Sequence, residues 1–234
     1  MPKLGYARII AGLWCLCLGI RALAAGTNHL VDLAPPGLPQ SSVISMVQTR
    51  DGYLWLGTVK GLARFDGSHY EVFNEWNTPG LGGNTIIHLF EDSRGALWVG
   101  AGNTVALIKD GKVTPLEIPG GNSELRSSCE DASGAVWLYL ADSRLVRCHE
   151  GQVKNVWLVG EPFSHARKII AETSGQIWIG TDSQLFRLVS DVLVANFELL
   201  LQTNALPGKL DYLLASPRGG FWQFANERIY RVPT

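Results

Sequence analysis

The sequence predicts an all-β chain, a β-propeller of four-stranded blades, and three observations carry that prediction. Five tryptophans, Trp55, Trp98, Trp137, Trp178 and Trp222, recur at spacings of 43, 39, 41 and 44 residues. Each has a glycine three residues before it (Gly52, Gly95, Gly134, Gly175, Gly219) and an apolar residue immediately before it (Leu54, Leu97, Val136, Ile177, Phe221). Short segments rich in β-branched and aromatic residues surround every copy, and such segments at a period of roughly 40–45 residues are the signature of propeller blades. A helical repeat of the same period fails, because glycines divide the chain into pieces too short for helices.

Each unit reads as strand, glycine turn, strand, turn, strand, loop, strand. The first strand is marked by apolar residues twelve before the tryptophan (Val43, Ile86, Leu125, Ala166, Leu210) and eight before it (Val47, Phe90, Cys129, Ile170, Leu214). The glycine fits a tight hairpin, where a positive φ strains other residues. The second strand carries the tryptophan, which should pack between neighbouring blades. The third follows as GLARF, VALIK, RLVRC, QLFRL and RIYRV, and the fourth as YEVF, VTPLEI or VKNVWLV. Two units depart from the frame: Tyr139 and Phe224 stand where the others have glycine two residues after the tryptophan.

In such a blade the first strand lines the central channel. Cys129 then lies on a first strand and Cys148 on a third, two strand spacings or ~9–10 Å apart. A disulfide needs Cα atoms within ~7 Å. Two free, buried thiols are expected, even though the chain is read as extracytoplasmic.

That location comes from the N-terminus. Lys3 and Arg8 precede the apolar run from Ile9 to Ile20, and small residues follow at Ala22-Leu23-Ala24. This is the composition of a secretory signal peptide over residues 1–24, leaving the propeller at 25–234 and a periplasmic or secreted location. The run is shorter than the ~20 apolar residues of a membrane span. Neither Cys15 nor Cys17 follows the small residue of a lipoprotein cleavage site. A lone short strand, His29 to Leu33, precedes the first unit, and the last stops after a third strand. The leading strand can complete the last blade of a closed five-bladed ring, but five blades of a seven-bladed one read the same way.

The windows GLPQSSVISMVQTRDGYLWLGTVKGLARFDG and IIHLFEDSRGALWVGAGN resemble the two-component regulator propeller repeat. In that family the repeats form the extracytoplasmic sensor region of hybrid histidine kinases, and several members are thought to sense oligosaccharides. Seven blades are usual there, often two propellers in tandem, followed by an immunoglobulin-like domain, a membrane helix and a kinase. This sequence has five repeats and neither a phospho-accepting histidine box nor an ATP-binding motif. The resemblance implies an input module without kinase activity, to be joined to further propeller or kinase modules if it is a fragment; a stand-alone secreted propeller for protein or glycan binding is the alternative.

Other chemistry finds little footing. Hydrophobic residues make up 46% of the 234, charged residues 18%, and the net charge is −1, so nothing suggests nucleic acid as a partner. No phosphate-binding glycine motif, cofactor motif or G-x-S-x-G is present. The five histidines are isolated, and no metal site is expected. Glu91-Asp92, Glu130-Asp131 and Glu172 share one offset in the repeat. A glycoside hydrolase needs an opposed acid pair, whereas recurrence at the hairpin end points to turn-capping carboxylates.

What differs between the copies points to a ligand. Polar residues near the start of the first strands change from blade to blade: Ser42, Asn84, Glu124, Arg126, His165, Arg167, Lys168, Lys209, Asp211 and Tyr212. They are expected at the channel mouth, a concave surface where blades converge. Asn84, Arg126, His165, Arg167, Asp211 and Tyr212 are the candidate ligand-binding set, for an oligosaccharide or another small extracellular ligand. Trp76 and Trp157, outside the frame, are candidate sugar-stacking platforms, with packing between outer strands as the alternative.

Overall fold

The computed structural model describes residues 37–159, 166–182, 184–190, 196–201 and 210–233. The expected signal segment, the strand at His29 to Leu33, His165 and Lys209 lie outside the described residues. Five antiparallel sheets follow one another along the chain. The first contains β1 (Val43–Gln48), β2 (Leu54–Thr58), β3 (Gly61–Phe65) and β4 (Tyr70–Phe73). The second contains β5 (Ile86–Glu91), β6 (Leu97–Ala101), β7 (Thr104–Lys109) and β8 (Lys112–Pro115). The third contains β9 (Leu125–Glu130), β10 (Val136–Leu140), β11 (Arg144–His149) and β12 (Gln152–Leu158). The fourth contains β13 (Ala166–Ala171), β14 (Ile177–Thr181), β15 (Leu185–Ser190) and β16 (Asn196–Leu201). The fifth contains β17 (Leu210–Ala215), β18 (Phe221–Ala225) and β19 (Arg228–Val232).

Strand order within each sheet follows the sequence, so each connection is a hairpin and the first strand is an edge strand. Those edges meet: β1 packs beside β5, β5 beside β9, β9 beside β13 and β13 beside β17. This is the propeller arrangement, with first strands inside and fourth strands outside. The glycine three residues before each tryptophan has φ between 74 and 92° in all five copies, the left-handed region that the hairpin requires. Cys129 and Cys148 are free and buried, with β10 between their strands. Burial pushes the Cys148 thiol up to about 12 and raises Cys129 further, so neither is a nucleophile near neutral pH.

Neighbouring sheets are joined by apolar faces. Trp55 packs with Leu89 and Ile86 of the second sheet, Trp137 with Ile169 of the fourth, and Trp178 with Leu210 and Leu213 of the fifth. The position two after each tryptophan sets how closely the sheets approach. A Cβ on Gly57 would lie 2.8 Å from the carbonyl oxygen of Ile86, and one on Gly100 would lie 3.1 Å from Leu125. In the third unit the sizes are exchanged. Tyr139 replaces the glycine and is fully buried, while the next first strand opens on Ala166 instead of Ile or Leu.

Trp222 corrects one expectation. The other four tryptophans are buried, but Trp222 is 37% exposed, against 1% for Trp98. It lies on the face of the fifth sheet that corresponds to the faces covered by a following sheet elsewhere. Leu214, Phe224 and Ile229 share its exposure. The opposite end matches: Met46 on β1 is exposed at the position where Leu89 and Ile169 are covered by a preceding sheet. Among the described residues nothing packs on either end face.

Two stability measurements follow. By chemical denaturation, Trp98→Ala is expected to cost about 3–5 kcal/mol, and Trp222→Ala only about 1 kcal/mol because its ring is already partly hydrated. Gly57→Ala is expected to cost about 1–3 kcal/mol by forcing the first two sheets apart, despite adding only a methyl group.

Candidate functional site

The two ends of the blades are chemically different. At the hairpin end, the carboxylate six residues before the tryptophan is consumed by its own blade. Asp92 accepts hydrogen bonds from the Trp98 indole at 2.9 Å and from the backbone N–H groups of Arg94 and Ala96. Asp131 does the same for Trp137 at 2.7 Å and for Ser133 and Ala135, and Glu172 accepts from the Trp178 indole. Burial alone would raise the Asp131 carboxyl, but the bonds from Ser133, Trp137 and Ala135 outweigh it and hold the group below its ordinary value.

The glutamate one residue earlier reaches across to the preceding blade. Glu91 accepts from the Arg50 N–H at 3.1 Å, and Glu130 accepts from the Ser93 N–H at 2.6 Å and from the Ser93 hydroxyl. Arg50 and Arg94 donate in the other direction, to the carbonyls of Ser93 (2.6 Å) and Gly134 (3.1 Å). The repeated acids are therefore structural. Grooves of about 280 and 680 Å³ open between the outer parts of sheets one and two and of sheets two and three. In the smaller, Arg64 is paired with Glu71 at 2.5 Å and lies over the Tyr53 ring.

At the opposite end every first strand carries the same irregularity. Pairing with the second strand slips between the positions twelve and ten before the tryptophan: Val43/Ser45, Ile86/His88, Leu125/Ser127, Ala166/Lys168 and Leu210/Tyr212. The residue inside each bulge has no partner in the ladder. Those residues are Ile44, Ile87, Arg126, Arg167 and Asp211. Three of the six sequence candidates thus occupy one structural position on successive first strands, and Tyr212 is adjacent. Arg126 and Asp211 are exposed, and Arg126 stands 3.9 Å from Glu124.

Asn84 is occupied differently. Its amide accepts from the Glu75 N–H at 2.9 Å and donates to the Glu75 carboxylate at 2.8 Å, fixing the loop between the first two sheets. Trp76 in that loop is 79% exposed, whereas Trp157 stacks on Trp137 at 5.5 Å and belongs to the core. Arg144 is buried and secures the next loop. Its guanidinium donates to Asp142 and to the carbonyls of Pro119 and Gly121, at 2.7–2.8 Å. Sequence reasoning missed it, because a single arginine at the start of a third strand carries no motif.

It named Lys168 and Tyr212 but missed Ser45, His88 and Ser127, the other members of the row ten residues before the tryptophan, which runs along the concave edge. Ser45 accepts from the Leu89 N–H at 3.1 Å and Ser127 from the Ile169 N–H at 3.1 Å, each tying its strand to the next first strand. In the same row His88 Nε2 lies 2.8 Å from the Ser128 hydroxyl, and Lys168 Nζ lies 5.0 Å from the centroid of the Tyr212 ring. Burial, with the Lys168 charge added, lowers His88 to about 4. The imidazole is therefore neutral at pH 7.

The unfolded chain takes up this proton near pH 6.5 and the folded protein near pH 4. Between those values the unfolded state binds more protons, so stability falls as the pH drops from 6.5 to 4, by about 3 kcal/mol. His88→Gln is expected to remove that part of the pH dependence. Denaturation midpoints of both proteins from pH 7.5 to 4 check it; parallel curves would contradict it.

The two-component regulator propeller model matches residues 37–60 and 80–103, the β1–β2 and β5–β6 hairpins with the chain leading into them. No curated protein sequence matches significantly. Among solved structures, the extracellular domain of a hybrid two component system from B. thetaiotaomicron aligns with a TM-score of 0.69 and 19% identity, over 85% of this chain and 27% of that one. Virginiamycin B lyase from Staphylococcus aureus aligns at 0.64 and 15% identity, over 86% and 72%. A gluconolactonase from Xanthomonas campestris aligns at 0.59 and 10% identity, over 81% and 71%. This chain thus spans about a quarter of the two-component extracellular domain it matches. At these identities the likeness establishes the β-propeller fold, and its first two blades carry two-component regulator propeller repeats.

Proposed function

We propose that this chain is an extracytoplasmic ligand-binding propeller of a two-component signal transduction regulator, without catalytic activity of its own, and that its ligand is an oligosaccharide. One observation carries the reading. A bulge recurs at one register in all five first strands while the side chain it presents changes from Ile to Arg to Asp. A constant scaffold bearing a variable, outward-aimed side chain is how a repeat protein builds a specific recognition surface. The match to two-component regulator propeller repeats supports the signalling context, and residues 1–24 would direct export. The lyase and lactonase folds keep an enzymatic reading open for comparison. It has less support, because the carboxylates that recur here are tied to indole N–H groups and turns.

Isothermal titration against a panel of oligosaccharides tests the proposal. Binding of at least one is expected, weakened about tenfold by Arg126→Ala, the loss of one charge-assisted contact. A well-folded sample that binds none, or that releases reducing ends from a polysaccharide, would overturn it.

A further inference from the structure

We infer that the concave edge between the second and fifth sheets recognises a carboxylate-bearing sugar, with Lys168 as the charge partner and the His88–Ser128 pair and Tyr212 beside it. The inference rests on the ligand-binding reading above and names the chemical class of the ligand.

The row of side chains ten residues before the tryptophan is sorted by what each already does. Ser45 and Ser127 spend their oxygens on the N–H groups of Leu89 and Ile169. His88 and Ser128 satisfy each other at 2.8 Å. Lys168 is left over. It is half-buried, its ammonium lies over the Tyr212 ring, and no carboxylate pairs with it among the described residues. The acids of the repeat point to the other end of the sheets, where indoles and turns occupy them. A partly desolvated ammonium without a counterion is a cost to the folded state, and an anionic ligand group removes it.

The local charge also selects among anions. The His88 imidazole is neutral at pH 7, so it offers hydrogen bonding and not a second positive charge. Among the described side chains, one ammonium beside neutral polar groups balances a monoanion such as a uronate carboxylate; a phosphate dianion asks for more positive charge than this. Arg126, at its bulge in the third sheet, is already shared with Glu124. The exposed Tyr212 ring, next to the charge, provides apolar surface for a sugar ring.

Titration of the protein at pH 7 with tri-galacturonate, its methyl ester and neutral galactotriose separates the outcomes. The acid is expected to bind about tenfold or more tightly than the ester, with an affinity that falls as salt is added. Lys168→Met should abolish that preference and Lys168→Arg retain it, with the Lys168→Met protein at least as resistant to denaturation as the parent, since it removes an unpaired charge. Equal affinity for acid and ester, or a preference untouched by Lys168→Met, overturns this inference. Binding of neutral sugars alone would do so while leaving the ligand-binding reading intact, and failure to bind any oligosaccharide, acidic or neutral, would remove both.

Discussion

The close approach of each tryptophan strand to the first strand of the following sheet governs this molecule. At Gly57 and Gly100 the space for a side chain has gone to Ile86 and Leu125, which let the neighbouring sheet seat against the tryptophan face. Interiors packed at crystal-like density tolerate no extra methyl there, so one residue must yield whenever its neighbour is large. In the third unit Tyr139 takes the glycine's position and is fully buried, and the next first strand opens on Ala166 in place of Ile or Leu. Phe224, the second departure, stands on a face that no described sheet covers, and there the constraint does not operate.

Polar groups secure what the apolar faces bring together. An indole N–H buried between sheets needs an acceptor, and the acid six residues earlier supplies it while also closing the hairpin. The glutamate before it bonds the preceding hairpin, so that one acidic dipeptide serves both its own blade and its neighbour. This explains why the acids recur, and why their recurrence argues against catalysis: each carboxylate is committed to backbone, hydroxyl or indole donors. The charges still free to act lie at the opposite end, where bulges break the ladder and side chains are not required for assembly.

Division of labour between the ends follows from strand geometry. A hairpin turn is confined by φ and by the next blade, so its residues repeat. The start of a first strand is confined only at the position twelve before the tryptophan, which fills the glycine gap. The residues just after it are released by the bulge and can differ. Arg126 and Asp211 occupy equivalent backbone positions with opposite charges, at no cost to the sheets that hold them.

Sequence alone determined the fold, the hairpin glycines, the strand order and the free state of Cys129 and Cys148, because these depend on local periodicity and on strand spacing that a repeat states five times. It also determined the end of the blades at which the copies disagree. The tertiary structure decided what no single repeat could state. Trp222 is exposed because burial depends on a neighbouring sheet and not on its own frame. Asn84, one of the sequence candidates, is engaged by Glu75 across a loop. His88 meets Ser128 and Lys168 meets Tyr212 across different blades only because first strands converge, so their proximity has no signature along the chain.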